Sequence, residues 1–302
     1  IEALKISWPQ NPKVIFTSHF ISTKTIPSFY TAEKKEKGAK LIHGQHGGSY
    51  GQSLISSWQD FEVKISDLFL SWGWENKNNK TIRPFGIIKP LNSLLKIGKI
   101  KDKKKLLIVI RPKERYFSTL LDSKTRGPQL LNYHNDCIKA GTLLNKEIKK
   151  NLIVRLHSKK YRWCEKERWQ DKISNVEINE GYDTTQSLLV KSKLVIYTYN
   201  STGYLEFLSA NIPVVIFWNS KENSLNKETK EFFEQFKKVK IFHETVESLT
   251  EHINENWENL ENWWLSKELQ EIRKEFCKKY CKINKNKVNE LKNIIREIAN
   301  NE

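Results

Sequence analysis

Short apolar runs alternate with longer amphipathic segments along most of this chain of 302 residues. The runs are typical of strands buried on both faces, and the longer segments repeat apolar residues with helical spacing. The predicted strands cover residues 14–18, 39–43, 67–72, 106–111, 152–156, 194–198 and 213–218. The predicted helices cover residues 24–37, 53–65, 129–149, 165–170 and 204–210, with a mainly helical region from 227 onward. This alternation predicts an α/β fold with parallel sheets covered by helices.

The strand pattern pauses in the charged segment 92–105 and restarts at Leu106. Gly98 interrupts this segment, which makes it the predicted linker between two Rossmann-like domains, residues 1–98 and 99–302. Open parallel sheets bind ligands beyond the carboxyl ends of their strands, and two such domains imply a cleft. The chemistry is therefore expected in the loops that follow strands.

The net charge of the chain indicates which kinds of molecule it can bind. Lys and Arg number 52 against 35 Asp and Glu, which gives a formal net charge of +17 at pH 7. Such a field attracts phosphorylated substrates, anionic membrane surfaces or nucleic acid. Because the lysines are spread along the chain rather than interleaved with aromatic residues, we expect no nucleic-acid partner and keep a basic nucleic-acid-binding protein as an alternative.

The composition argues against a membrane-spanning protein, a secreted protein and a zinc-binding protein. No apolar run approaches the ~20 residues of a membrane span, and the N-terminus lacks the pattern of a signal peptide, so a cytoplasmic protein is expected. The four cysteines lie far apart, except Cys277 and Cys281, which stand about one helical turn apart rather than in a zinc knuckle. We therefore predict reduced thiols, no metal ligands and no cofactor. The chain contains no Met, and we expect its N-terminal domain to be incomplete.

A glycine-rich loop, residues 43–51, follows the second predicted strand and reads His-Gly-Gln-His-Gly-Gly-Ser-Tyr-Gly. Its glycines let the backbone turn sharply and approach a ligand, and His46 is suited to act as a general base near neutral pH. A glycine-rich turn whose histidine bonds to backbone groups explains the same residues equally well. His46 is the catalytic candidate, and Gly47, Gly48 and Tyr50 are candidates for substrate binding.

A second loop, residues 197–206, turns from an apolar strand through Asn200, Ser201 and Thr202 into a helix. Free N–H groups at a helix start, beside small hydroxyl side chains, suit a phosphate. Glu206 lies one turn inside the helix, where it can accept hydrogen bonds from ribose hydroxyls. N-capping by Asn200 or Ser201 is the plainer explanation of the same sequence.

Two further strand ends carry basic residues. Arg155 and His157 fall on one face by strand alternation, and Arg111 ends the preceding strand. These side chains can balance phosphate charge, although an arginine paired to a carboxylate and a surface histidine fit nearly as well. Asp60 and Glu62 do not share a helix face, so we interpret them as solvent-facing or capping groups rather than a catalytic pair.

Together, these motifs resemble those of a family of bacterial surface-carbohydrate transferases. The matching segments are QHGG-x-YG at 45–51, ISD at 65–67, WGW at 72–74, TYNSTGYLE at 198–206, and NIP at 211–213 leading to FW at 217–218. The chain is also distantly similar to GT-B transferases that build capsules and teichoic acids, including the CDP-glycerol glycerophosphotransferases and the CMP-Kdo transferases.

The resemblance implies a GT-B-like fold, in which two Rossmann-like domains face each other across a cleft. It gives His46 the role of base, and it gives nucleotide or phosphate binding to Arg155, His157, Ser201, Thr202 and Glu206. The implied activity is metal-independent transfer of a sugar from a CMP- or other nucleotide-sugar donor to a glycan or lipid-linked glycan acceptor. Peripheral association with the inner face of an anionic membrane is expected. A nucleotide-sugar epimerase of the same fold is the alternative.

Overall fold

The computed structural model describes residues 7–19, 21, 24–97, 100, 103–115, 127–219 and 224–300. The strands are β1 (Val14–Thr17), β2 (Lys40–Gly44), β3 (Leu68–Ser71), β4 (Ile82–Pro84), β5 (Lys105–Val109), β6 (Leu152–Arg155), β7 (Glu177–Asn179), β8 (Ser192–Tyr197), β9 (Val214–Phe217) and β10 (Phe242–His243). The helices are α1 (Thr25–Glu36), α2 (Ser57–Ile65), α3 (Gly127–Leu143), α4 (Lys146–Lys150), α5 (Glu165–Lys172), α6 (Thr185–Lys191), α7 (Thr202–Ser209), α8 (Lys227–Lys238), α9 (Val246–Asn256), α10 (Leu260–Trp264), α11 (Lys267–Tyr280) and α12 (Lys287–Asn300).

Contacts group the chain into two compact units, Ile1–Pro90 with Glu275–Glu302, and Leu91–Lys274. This division differs from the predicted domains 1–98 and 99–302, because the C-terminal segment returns to the first unit. Gly98, the glycine of the predicted linker, lies outside the described residues. The predicted α/β class with parallel sheets is confirmed in both units.

The first unit is built on a four-stranded parallel sheet in the order β1-β2-β3-β4. Every residue of β3 and all but the first of β2 are buried, as expected for continuous apolar runs covered on both faces. Helices α1 and α2 connect β1 to β2 and β2 to β3. The buried core joins strand residues to Ile294 of α12; it comprises Ile42, Leu68, Leu70, Phe85 and Ile294.

Backbone hydrogen bonds fix the C-terminal segment to this sheet. The N–H of Lys282 donates to the Trp72 carbonyl at 2.9 Å, and the N–H of Ile87 donates to the Lys282 carbonyl at 2.8 Å. The guanidinium of Arg83 makes two hydrogen bonds to Glu297, at 2.9 and 3.1 Å. These contacts, with the apolar face of α12, explain why the segment belongs to the first unit.

The second unit is built on a six-stranded parallel sheet in the order β10-β9-β8-β5-β6-β7. From β5 the chain builds outward through β6 and β7, then returns to build the other side from β8 to β10. The strand order therefore reverses between β5 and β8, which is where open α/β sheets bind ligands. The unit differs from expectation in detail. The predicted helix 129–149 forms two helices, β7 and α6 lie where no element was predicted, and β10 lies in the region predicted to be mainly helical. None of the described helices combines the length and apolar character of a membrane span.

Candidate functional site

A pocket of about 230 Å³ opens at this reversal, beyond the carboxyl ends of β5, β6 and β8. Its walls are the ends of these strands, the segment after β7 and the first turns of α7. The lining residues are Val109, Ile110, Pro112, Arg155, Leu156, His157, Ser158, Gly181, Thr185, Tyr197, Tyr199, Gly203, Glu206 and Phe207.

The pocket brings together Arg155, His157 and Glu206, which the sequence places on two separate loops. Nη1 of Arg155 donates to the Asp183 carbonyl at 3.0 Å, and burial lowers the pKa of this guanidinium below its usual value. Nδ1 of His157 accepts from the Lys159 N–H at 3.0 Å, which orients the ring. The Glu206 side chain is buried, with 7% of the residue exposed. A guanidinium, an imidazole and a carboxylate therefore line the same small pocket.

The start of α7 is held by a tyrosine rather than by the predicted caps. Ser201 occupies the N-cap position without a capping bond from its side chain, and Asn200 instead accepts from the Tyr204 hydroxyl at 3.2 Å. The Tyr197 hydroxyl accepts the Gly203 N–H at 3.3 Å. A Cβ at Gly203 would meet the Tyr197 ring at 2.4 Å, so this contact depends on glycine.

Of the binding residues predicted in the second unit, four do not line this pocket, namely Arg111, Asn200, Ser201 and Thr202. Arg111 still acts on the site, since its charge and that of Arg155 oppose the rise in the pKa of Tyr199 that burial causes. Tyr197 and Tyr199 stack with ring centroids 4.8 Å apart. Neither tyrosine is among the predicted binding residues, although their alternate spacing in the sequence indicates that they share a face.

Buried hydroxyl groups fix the strand ends around the pocket. The Thr198 hydroxyl donates to the Val109 carbonyl at 2.6 Å and lies 2.5 Å from the Tyr133 hydroxyl. The Tyr133 hydroxyl also accepts the Arg111 N–H at 2.6 Å. One network therefore ties the ends of β5 and β8 to α3.

In the first unit, the loop after β2 is anchored by the buried side chain of Gln45. Its Oε1 accepts from the Trp72 N–H at 2.9 Å and from Nε1 of Trp74 at 2.7 Å, while its Nε2 donates to the Gly47 carbonyl at 2.7 Å. Gly51 closes the loop with a φ of 72°, and a Cβ there would meet the Trp74 ring at 2.4 Å. The glycine-rich loop and the Trp-Gly-Trp segment thus form a single packed structure.

Four side chains meet at the base of this loop, from β2, the loop itself and α2. Oε2 of Glu62 accepts from the Tyr50 hydroxyl at 2.9 Å and lies 3.4 Å from Nε2 of His43. Nδ1 of His46 lies 3.8 Å from Oε1 of Glu62 and 3.4 Å from the Tyr50 hydroxyl. His43 and Glu62 are fully buried, whereas the His46 side chain is 27% exposed. The predicted binding residue Tyr50 is therefore a buried partner of Glu62, and Gly48 is half-buried in the loop.

The environment keeps the imidazoles of His43 and His46 neutral near pH 7. Burial, assisted by the neighbouring His46, lowers the pKa of His43 to about 4. Burial, assisted by His19, lowers the pKa of His46 to about 4. The ligand atoms of His43, His46 and Glu62 all lie within 4.8 Å of one another, a spacing that one metal ion can bridge. The interpretation of Glu62 as a solvent-facing or capping group is wrong, because its carboxylate is fully buried.

Comparisons with known proteins give one family and several distant structures. A protein-family model described as LIC12162 family transferase matches residues 2–295. Among solved structures, Acinetobacter baumannii MurG is similar at 9% identity over 94% of this chain and 73% of that chain, with a TM-score of 0.48. UDP-GlcNAc 2-epimerase from Neisseria meningitidis, bound to UDP-GlcNAc, is similar at 14% identity over 88% of this chain and 75% of that chain, with a TM-score of 0.49.

A third structure, WaaG, a glycosyltransferase involved in lipopolysaccharide biosynthesis, is similar at 16% identity over 88% of this chain and 74% of that chain, with a TM-score of 0.33. Identities and TM-scores this low support no inference about function. No curated protein matches the chain.

Proposed function

The chain belongs to the LIC12162 family of transferases, and we propose that it is a glycosyltransferase of bacterial surface-carbohydrate assembly. In this proposal, the donor is a nucleotide-activated sugar, with CMP or another nucleotide as carrier. The acceptor is a glycan or a lipid-linked glycan. The observation that carries the proposal is the pocket of the second unit, where Arg155, His157 and Glu206 meet at the reversal of the strand order.

Arg155 and Glu206 each suit one part of a nucleotide sugar. The guanidinium of Arg155 pairs with phosphate oxygens, and the N-terminus of α7 adds a favourable dipole for the same anion. Glu206, an acceptor when ionised, is placed to bind ribose hydroxyls. Fixed positive groups aimed at the leaving phosphate stabilise the charge that develops during transfer, so we propose that its departure needs no metal.

The first unit supplies the acceptor side in this proposal. His46 stands on the loop after β2, and we assign to it either removal of the acceptor proton or orientation of the acceptor hydroxyl. The net charge of +17 favours peripheral binding to an anionic membrane, where a lipid-linked acceptor would be found. Sedimentation with anionic and neutral vesicles measures membrane binding independently of catalysis, and binding to the anionic vesicles alone is expected.

A thermal-shift screen with CMP, CDP, UDP, GDP and their sugars tests donor binding. A nucleotide at about 100 times its Kd should raise the stability of the folded state by about 2.7 kcal/mol. Glu206→Gln should weaken binding of the responding nucleotide by about 10- to 100-fold, as expected for losing hydrogen bonds to a charged group. The matched control is Glu251→Gln, which changes an exposed glutamate of α9 in the same unit.

Failure of every nucleotide to shift the protein, or equal shifts in Glu206→Gln and the control, would contradict the proposal. The responding donor is then incubated with and without acceptor glycans. Sugar transfer that requires an acceptor, and that is lost in His46→Ala while the nucleotide shift remains, supports the assigned roles. Conversion of the donor sugar without any acceptor would identify an epimerase instead.

A further inference from the structure

We propose that the first unit binds one divalent transition-metal ion of the Zn²⁺ class between His43, His46 and Glu62. These residues come from β2, from the loop after it and from α2, so the fold brings the three ligands together. The proposal concerns the first unit alone and does not depend on the activity proposed above.

The spacing of the three side chains fits one ion. Nε2 of His43 lies 3.4 Å from Oε2 of Glu62, and Nδ1 of His46 lies 3.8 Å from Oε1 of the same carboxylate. All the ligand atoms fall within 4.8 Å of one another. A tetrahedral Zn²⁺ with bonds of about 2.1 Å holds its ligands roughly 3.4 Å apart. Small side-chain rotations therefore suffice to close the site around an ion.

Burial gives a reason for an ion to bind here. His43 is fully buried, and its Nε2 has no hydrogen-bond partner within the described part of the chain. Leaving such an atom without a partner destabilises the folded state, because the desolvation of the nitrogen is not compensated. This nitrogen lies 3.4 Å from Oε2 of Glu62, whose side chain is also fully buried. An ion between them would bind the nitrogen lone pair and balance the carboxylate charge.

The donor set selects the class of ion. Two imidazole nitrogens and one carboxylate oxygen form a His₂Glu set, which suits Zn²⁺ and leaves a fourth position open. Mg²⁺ and Ca²⁺ prefer oxygen ligands alone. The partial exposure of His46 gives the open position access to solvent, and the Tyr50 hydroxyl bonded to Oε2 of Glu62 orients the carboxylate as an outer-shell group does.

Metal binding by His46 is compatible with only one of the two roles proposed for this residue. A nitrogen that binds an ion cannot also accept a proton, so His46 would orient the acceptor rather than act as its base. An ion at this position would supply Lewis-acid chemistry toward a hydroxyl group.

Metal binding is measured directly on the full chain. Protein freed of metal with a chelator is titrated with Zn²⁺, and bound metal is quantified by elemental analysis after gel filtration. We expect one ion per chain. Glu62→Gln and His43→Gln should each weaken binding by more than about 100-fold, and Tyr50→Phe by about 10- to 100-fold. Asp60→Asn, an exposed carboxylate of the same helix, is the matched control and should bind like wild type.

Substitution with Co²⁺ identifies the ligands without any variant that could fail to fold. A nitrogen and oxygen set gives visible ligand-field bands without thiolate charge-transfer absorption. Such absorption would place the ion at cysteines and overturn the proposal. Substoichiometric Zn²⁺ in the folded wild type, or wild-type affinity in folded Glu62→Gln, would overturn it as well. The nucleotide-dependent thermal shift is recorded on the same metal-free protein. A failure to bind Zn²⁺ is thereby distinguished from a failure to bind nucleotide.

Discussion

A single buried amide holds the glycine-rich loop of the first unit. Gln45 uses both side-chain groups, since its Oε1 accepts from two tryptophans and its Nε2 donates to the backbone. Its own backbone carbonyl accepts from Nε1 of Trp72 at 2.9 Å, and its N–H donates to the Leu70 carbonyl at 2.9 Å. No apolar side chain, and no carboxylate, can satisfy this combination of donors and acceptors.

Gln45→Glu should therefore destabilise the first unit. The change keeps the shape of the side chain but replaces the donor to the Gly47 carbonyl with a second acceptor, which leaves that carbonyl without its bond. The expected cost is about 1–3 kcal/mol of unfolding free energy or more, because the introduced charge is also buried. Urea unfolding followed by tryptophan fluorescence measures it. Gln10→Glu, at an exposed position of the same unit, should leave the midpoint unchanged, and equal midpoints for both variants would contradict the argument.

Sequence spacing predicts correctly that Glu62 and Asp60 lie on different helix faces, but it does not predict which face is buried. The i, i+2 argument places Asp60 and Glu62 on different faces of a helix, and the structure agrees, since Asp60 is exposed and Glu62 is buried. The conclusion that both face solvent or cap a helix does not follow, because one of the two faces packs on the sheet. The sequence carries no local sign that His43 and Tyr50 meet Glu62 there.

At the level of elements, the start of α7 depends on a residue outside the helix. The hydroxyl of Tyr197, the last residue of β8, accepts the Gly203 N–H and takes the place of a capping side chain. Strand and helix are thereby fixed to each other at the edge of the pocket. Sequence patterns predicted β8 and α7 within two residues, because both are continuous apolar stretches, but the capping rule selected Asn200 or Ser201. Side chains contributed by a neighbouring element are invisible to that rule.

Tyr197→Phe should loosen this junction while leaving the stacked ring in place. Loss of the hydroxyl removes the partner of the Gly203 N–H, with an expected cost of about 0.5–1.5 kcal/mol in unfolding free energy. Nucleotide affinity should fall by a factor of about 2 to 10, because the first turn of α7 lines the pocket. Calorimetric titration with the responding nucleotide measures the second effect. Tyr182→Phe is the control, since Tyr182 is 75% exposed, and an unchanged affinity in Tyr197→Phe would contradict a role for the junction.

At the level of the whole molecule, the predicted α/β class is confirmed, and contacts group the C-terminal segment Glu275–Glu302 with the first unit. Alternating apolar runs and amphipathic segments are enough to indicate parallel sheets covered by helices. They cannot show which sheet receives a given helix, because an apolar helix face can pack against any apolar sheet surface. The bonds that decide it join residues far apart in the chain, such as Arg83 with Glu297 and Trp72 with Lys282.

Buried histidines should make the stability of the second unit depend on pH. Burial, with His252 as a neighbour, lowers the pKa of His243 to about 3, and burial with Lys240 lowers that of His252 to about 4. His243 bonds to the Ser248 hydroxyl at 2.9 Å and to the Lys240 carbonyl at 3.0 Å, while the ring of His252 packs against Trp263. The hydrogen bond to the Lys240 carbonyl favours a protonated His243, but burial outweighs it, and no carboxylate contributes to the pKa shift of either histidine.

The sign of the effect follows from proton uptake. Below about pH 6.5 the unfolded chain binds protons at both histidines, whereas the folded chain remains neutral there until about pH 4. Stability is therefore complete above about pH 7 and is lost as the pH falls, by up to about 1.4 kcal/mol per pH unit for each histidine. Urea unfolding at about pH 7.5 and about pH 5 measures this slope. His252→Gln should flatten it, although the variant starts from a lower stability, because one of the buried protonation sites of the unit, which also include His134, is removed. The exposed His157 provides the control, and a slope in His252→Gln as steep as in His157→Gln would show that the acid sensitivity originates elsewhere.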